Sequence, residues 1–416
     1  MRSAFLLLLL FFITAAQAQV TRYAVKLTPD LDHHVLHGEE TITFHHQQGD
    51  IQFQKQTGLQ ISSVICGNCQ ATDADETVNI RWSTSGKHSL HVVYTAASHR
   101  GITWFPDHAG FDTAFYCEAW MVCDNSPAQR ATLNLEIVLP SSNGLTAAGP
   151  GKFKKQWKDA EGKHFLFEQT KPVQTYLFSF GVAKFNRSVS GPFVVYTPDT
   201  DAHKMAFTKT ADAYAFLRSK AGVDLMDSQY TQVFVPDGIE QEAAGLALMP
   251  SAYLADLEQR DQAADMTHEL AHQWWGVLVG IRSWSDFWLN EGMADFMTDA
   301  YLERHQGREA YDREIAAAKE QMDKLRAEGK DRPLHWEGWK DAHGALGPLP
   351  YVKGALFLDH LRTELGEERF WPGIKLYTTR NAGRLVDSRD FEHAMEEASG
   401  RDLKVVRSDG LSLRIR

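Results

Sequence analysis

Several things are scarce in this sequence. Four cysteines in 416 residues are too few for a disulfide-dense miniprotein. An excess of basic charge is also missing. The formal net charge is −11, which argues against a nucleic-acid partner held on a basic face. Beyond the first residues no stretch is long and apolar enough to span a membrane, which takes about 20 residues. There is no internal repeat and no low-complexity tract. With 43% hydrophobic and 23% charged residues, the composition is that of an ordinary globular protein, not of a disordered chain or a collagen-like fibre. At roughly 150 residues per domain the length predicts two or three domains.

The N-terminus carries its own signal. Arg2, the apolar run Ala4 to Ile13 and the exit Ala16-Gln17-Ala18 read as a secretory signal peptide cut after Ala18. The run is too short for a membrane anchor, and no cysteine follows it to accept a lipid. A periplasmic or secreted product is expected. In that setting Cys66, Cys69, Cys117 and Cys123 read as two disulfides. Pairing 66–69 and 117–123 is the local solution, though three connectivities exist. The C-x-x-C spacing of Cys66 and Cys69 also suits structural zinc, which an oxidising compartment disfavours.

Residues 19–197 read as a β-rich domain. Thr41 to Phe44, Leu90 to Tyr94, Leu133 to Leu139 and Pro192 to Tyr196 are short apolar or alternating runs between Gly, Asn, Ser and Pro clusters. Residues 198–416 read differently. Met205 to Lys220, Arg260 to Val279, Ala310 to Glu328 and Lys353 to Leu365 carry helical spacing. The boundary is expected near Thr197-Pro198-Asp199. His33, His34, His37, His45 and His46 crowd the β-rich part, and the plainer reading is of solvated strand and turn histidines. His45 and His46 are adjacent on an apparent strand and should point to opposite faces.

The chemistry concentrates in Thr267-His268-Glu269-Leu270-Ala271-His272-Gln273-Trp274-Trp275-Gly276. Residues i and i+4 of a helix are neighbours, so both imidazoles can converge on one zinc ion. Glu269 is one step round and can reach a water without binding the metal. With 18 histidines in the chain, H-E-x-x-H arises by chance in roughly 4 of 100 such sequences, so a third ligand is the test. Glu291 supplies it, in Trp288-Leu289-Asn290-Glu291-Gly292-Met293-Ala294-Asp295, which looks like a second buried helix. Asp295 lies four residues on and could accept a hydrogen bond from a ligand histidine.

H-E-L-A-H-Q-W-W-G followed by L-N-E-G resembles the gluzincin aminopeptidases, the aminopeptidase N family. Tyr351-Val352-Lys353-Gly354-Ala355 with Leu365-Gly366-Glu367-Glu368-Arg369-Phe370 is similar to a further family segment. So are Cys123 to Pro127 and the opening strands Tyr23 to Phe44. The resemblance implies an N-terminal β-sandwich or saddle domain followed by a thermolysin-like zinc peptidase domain of mixed α and β structure. It implies one zinc held by His268, His272 and Glu291, with Glu269 as general base. It puts Tyr351 at the tyrosine that stabilises the oxyanion. Aligned on Gly245, Glu242 falls on the glutamate that binds the substrate's free amine. Ile239, Gln241 and Ala243 depart from the usual Gly, Met and Asn, and Glu240 is the rival if the register slips by two. Tyr116-Cys117-Glu118-Ala119 resembles a second amine-binding segment and offers Glu118.

The reading is therefore a zinc aminopeptidase acting on peptides with a free N-terminus. A zinc endopeptidase with no need of a free amine, a non-catalytic zinc-containing binding protein, and hydrolysis of a non-peptide electrophile such as an epoxide are the other readings. Many family members continue into a large helical domain, whereas this sequence runs 65 residues past Tyr351. The expectation is an open cleft with weak control over substrate length.

Overall fold

A computed structural model describes residues 19–403, apart from residues 98–99, 142–143, 199–202, 237, 239 and 261–262. The expected signal peptide, Ile239 and the tail after residue 403 lie outside the described residues.

The first half is built on a seven-stranded sheet. Its order is Lys152–Lys158, Lys163–Val173, Ala131–Leu139, Gln19–Asp30, Val35–His46, Gly86–Ala96 and Leu59–Ile65. All neighbours are antiparallel except Gln19–Asp30 and Ala131–Leu139, which run parallel. Alternation explains the layer. Tyr23, Val25 and Leu27 on one strand and Ile42 and Phe44 on the next are buried, while residues between them face outward. His45 is exposed and His46 buried, as adjacent strand residues should be. A three-stranded sheet (Gly49–Gln54, Thr77–Trp82, Cys69–Asp73) and a four-stranded one (Thr146–Ala148, Gly181–Ala183, Phe111–Thr113, Ile102–Trp104) complete this half. Cys66 pairs with Cys69 and Cys117 with Cys123.

The second half places nine helices among the described residues against a five-stranded sheet. The helices are α1 (His203–Ala221), α2 (Ala252–Arg260), α3 (Ala264–Ala271), α4 (Trp288–Gln306), α5 (Arg308–Ala327), α6 (Ala342–Ala345), α7 (Pro348–Leu365), α8 (Glu367–Asn381) and α9 (Ser388–Ser399). The sheet order is Asn186–Ser190, Phe193–Thr197, Tyr230–Val235, Leu246–Pro250 and Gln241–Ala243. Its first two strands precede the boundary expected near Thr197. They pair with each other and then with Tyr230–Val235, so one sheet crosses that position. Composition could not separate them from the strands before, because only the pairing partner differs.

α3 is shorter than the expected stretch Arg260 to Val279. It ends at Ala271, and the chain turns at Gly276, whose φ is +142°. A Cβ there would stand 2.2 Å from Asn290 Oδ1, so the turn needs glycine. Trp274 and Trp275 are fully buried just before it. Their indole nitrogens donate to the Val223 carbonyl at 2.8 Å and to Thr378 Oγ1 at 3.0 Å. Deleting such a ring costs about 3–5 kcal/mol. The end of α3 is therefore anchored in the core.

α4 and α7 meet glycine to glycine. A Cβ on Gly292 would lie 2.5 Å from Gly354 Cα, and one on Gly354 would lie 2.6 Å from Gly292 Cα. This close approach sets the separation of the helices that carry Glu291 and Tyr351. Lys353 is buried beside it, and its Nζ donates at 2.6 Å to both Asp331 Oδ1 and the Arg332 carbonyl.

Candidate active site

His268 and His272 sit one turn apart along α3 and its C-terminal end. Their Nε2 atoms are 2.9 Å apart, and Glu291 Oε2 on α4 lies 3.4 Å and 3.3 Å from them. An ion bound tetrahedrally at about 2.0–2.1 Å needs donors about 3.3 Å apart. The three residues fit such an ion. The opposite ring nitrogens are occupied. His268 Nδ1 lies 2.9 Å from Asp295 Oδ1, and His272 Nδ1 lies 2.9 Å from Asn290 Oδ1 and 3.2 Å from the Trp275 carbonyl. These acceptors hold the proton on Nδ1 and turn the Nε2 lone pair toward the centre.

The electrostatics favour positive charge at that centre. Burial opposes ionisation of Glu291, but the two imidazoles outweigh it and hold the carboxyl down at about 2. Burial likewise opposes charge on His272, and the Glu291 and Glu242 carboxylates outweigh it and lift the imidazole to about 9. Glu269, on the same turn of α3, is 3% exposed, and its Oε2 has no hydrogen-bond partner among the described residues. Burial pushes its carboxyl up to about 8 against the pull of His272 and His268. Such a group can both take and give a proton near neutral pH.

Tyr351, in the first turn of α7, stacks its ring on His268 with centroids 6.1 Å apart and planes 10° apart. Burial, then the charges of Glu291 and Glu242, raise its phenol well above the ordinary value. It stays protonated and able to donate a hydrogen bond.

Glu242 is buried on Gln241–Ala243, the edge strand of the five-stranded sheet. Its Oε1 accepts from Asn290 Nδ2 at 3.0 Å and its Oε2 from Gln241 Nε2 at 2.7 Å. Burial raises its carboxyl to about 7, partly offset by His272. Glu240 is exposed, accepts from the Tyr253 hydroxyl, and lines a cavity with His268 and Tyr351. Glu118 sits elsewhere. It lines a cavity of about 660 Å³ together with Phe115, Tyr116, Tyr176, Trp284 and Arg100. Neither Glu242 nor any of the three metal-donor residues lines that cavity. The structure gathers His268, Glu269, His272, Glu291, Asp295, Tyr351 and Glu242, and leaves Glu118 in a neighbouring space.

Three residues of the site carried no assigned role in the sequence. Asn290 joins His272 to Glu242 through one amide, and nothing in its spacing announces that. Gln273 ties the edge hairpin to α3: its Oε1 accepts from the Gly245 N–H and its Nε2 donates to the Ala243 carbonyl, both at 3.0 Å. Tyr176 is buried with a hydroxyl that has no hydrogen-bond partner among the described residues. It lies close enough to Glu242 and Glu291 for their charges, after burial, to raise its phenol.

Comparison with known proteins agrees with this geometry. Residues 227–409 match the peptidase family M1 domain. Leucine aminopeptidase 2 of Aspergillus oryzae is 29% identical over 312 residues, spanning 70% of this chain and 48% of that protein. A probable aminopeptidase 1 of Saccharolobus solfataricus is 24% identical over 322 residues, spanning 72% of this chain and 40% of that protein. The chain thus covers about half or less of the length of these relatives. Among solved structures, native yeast LTA4 hydrolase superposes with a TM-score of 0.80 at 18% identity, over 96% of this chain and 69% of that one. An M1 zinc metallopeptidase from Deinococcus radiodurans superposes at 0.72 with 20% identity, over 95% of both chains. The fold is the one those structures share, and residues 227–409 carry a peptidase family M1 domain with homology to leucine aminopeptidases.

Proposed function

We propose that the chain is a zinc-dependent aminopeptidase that hydrolyses the N-terminal residue from peptides. One observation carries the reading. The Asn290 amide joins the buried Glu242 carboxylate to His272 of the His268–His272–Glu291 donor set, and Glu269 lies near enough to Glu242 for their charges to interact. A carboxylate held there has a use if it binds a cation within one residue of the reacting bond, and the free ammonium group of a peptide is that cation.

His268, His272 and Glu291 would hold the zinc, and the names of the M1 relatives support that choice of ion. A zinc ion there supplies Lewis acidity, which polarises a carbonyl and brings the pKa of water down to about 7. Glu242 binds the substrate's ammonium group and so fixes which peptide bond reaches the site. Glu269 accepts a proton from the attacking water and delivers it to the departing amine. Tyr351 donates its hydroxyl hydrogen to the carbonyl oxygen as negative charge grows there. Glu118 adds negative potential to the cavity next to this site. The first 18 residues support export, and the paired cysteines accord with an oxidising compartment. No helix among the described residues is long and apolar enough to cross a membrane.

The test is hydrolysis of aminoacyl fluorogenic amides by the zinc-loaded chain, beside their N-acetyl counterparts and the Glu269→Gln variant. Cleavage restricted to free amines and lost in the variant is expected. Equal cleavage of blocked substrates would move the assignment to an endopeptidase. Retained zinc with no cleavage at all would leave a binding protein.

A further inference from the structure

A cavity of about 360 Å³ opens beside His268 and Tyr351. Its walls carry five carboxylates, Glu240, Asp265, Asp295, Asp299 and Glu314, and neither lysine nor arginine lines it. Asp299 and Glu314 make no ion pair or hydrogen bond among the described residues. Thr298, on the same wall and only 6% exposed, has a hydroxyl with no hydrogen-bond partner among the described residues.

The position of this cavity matters. Glu242 lies against His272, bridged by Asn290, whereas the cavity lies against His268. On the aminopeptidase reading, a peptide whose ammonium group rests on Glu242 at the His272 side would carry the residue after the scissile bond toward the His268 side, where the cavity opens. The cavity carboxylates are spaced unlike the donors of a metal centre. The donor atoms of His268, His272 and Glu291 lie within 4.8 Å of one another, but no three of the cavity carboxylates form such a group. They are spread along a wall that also carries Leu302, Val352 and Ala355. An alkyl stem with a cationic head matches that wall. Burial, and then the charges of Asp295, Glu314 and Asp359, hold the Asp299 carboxyl well above its ordinary value, a repulsion that a bound cation relieves.

We propose that this cavity receives the side chain of the substrate's second residue and selects lysine or arginine there. The proposal rests on the aminopeptidase reading, because Glu242 sets the direction of the peptide.

The experiment competes Leu-Lys-Gly, Leu-Leu-Gly and Leu-Glu-Gly for the zinc-loaded full chain in one tube. The expected order of kcat/KM is lysine, leucine, glutamate at the second position. The lysine-to-leucine ratio should shrink several-fold in an Asp299→Asn, Glu314→Gln double variant, and should fall with added salt. Asp299→Lys should turn the preference toward glutamate. Each ratio is read on a single preparation, so incomplete folding of a variant cancels. Equal cleavage of the three peptides, or a ratio untouched by the substitutions, would overturn the proposal and leave the aminopeptidase reading standing. Failure to cleave any free-amine peptide, or equal cleavage of the N-acetyl forms, would remove the Glu242 anchor and the proposal with it.

Discussion

Among the described residues, two clusters bring histidine and carboxylate side chains together at metal-binding distance, and they are built differently. In the β-rich half, His164 lies against Asp159 and Glu161. In the helical half, His268, His272 and Glu291 converge. The difference is in the second ring nitrogen. His164 Nδ1 lies 2.8 Å from Glu136 Oε1, and its Nε2 lies 2.8 Å from Asp159 Oδ1. The two nitrogens meet two different carboxylates on opposite sides of the ring, so the donor atoms do not converge on one point. His268 and His272 each turn Nδ1 to an orienting acceptor, while both Nε2 atoms converge on one oxygen, Glu291 Oε2, at 3.4 Å and 3.3 Å. Proximity alone therefore does not make a metal site; donor atoms that converge on one point, each ring held by a partner on its far side, do.

The largest effect is expected at Glu269, the proposed proton carrier. Glu269→Gln should lower kcat by about 10²–10⁴-fold while zinc content stays at one per chain, read by steady-state kinetics and metal analysis. Loss of zinc in that variant would show that Glu269 also shapes the donor set. The orienting partners come next. Asn290→Ala and Asp295→Ala should each weaken zinc binding by about 10–100-fold in a chelator competition. Asn290→Ala should also raise KM, because Glu242 loses a hydrogen bond. Glu136→Gln, the matching change at His164, should leave zinc affinity where it was. A fall in zinc content there would erase the contrast between the clusters.

The glycine crossing gives a smaller, mainly structural effect. Gly292→Ala forces α4 from α7 and should cost about 1–3 kcal/mol in denaturant unfolding of the apo chain, with weaker activity through Tyr351. The smallest effect is a pH dependence confined to the β-rich half. Burial opposes charge on His164, but Glu136 and Asp159 outweigh it and raise the imidazole above 6.5. Charged His164 then adds stability that is fully present below about pH 6.5 and is lost as pH rises through its raised value. His164→Gln should flatten that part of the stability profile without moving the pH profile of activity. A shifted activity profile would show that the two halves are coupled through their shared core.

The reach of the sequence differed from residue to residue. His268, Glu269 and His272 were legible because helical spacing places i and i+4 side chains together whatever surrounds them, and Glu291 because such a pair needs a third ligand. Asp295 followed from the same rule, four residues beyond Glu291. Short apolar or alternating runs marked the strands around Ile42 and Leu133. Other features had no local signal. Asn290 stands next to a ligand in the chain, yet which residue its amide meets depends on where the edge strand carries Glu242. The strands Asn186–Ser190 and Phe193–Thr197 read as β, but their partner lies beyond a helix. The acid-lined cavity draws its walls from α3, α4, α5 and α7, and no single segment contains it.

The sequence by itself determined the donor types, their order and the helices that present them, because those depend on spacing within one element. The tertiary structure decided which carboxylates face which imidazole. It separated Glu118 from Glu242, and it brought α4 and α7 together through Gly292 and Gly354. The physical reason is range. Helical and strand periodicity act over a few residues, whereas hydrogen bonds, charge repulsion and the closeness of two backbones depend on distances that only packing sets.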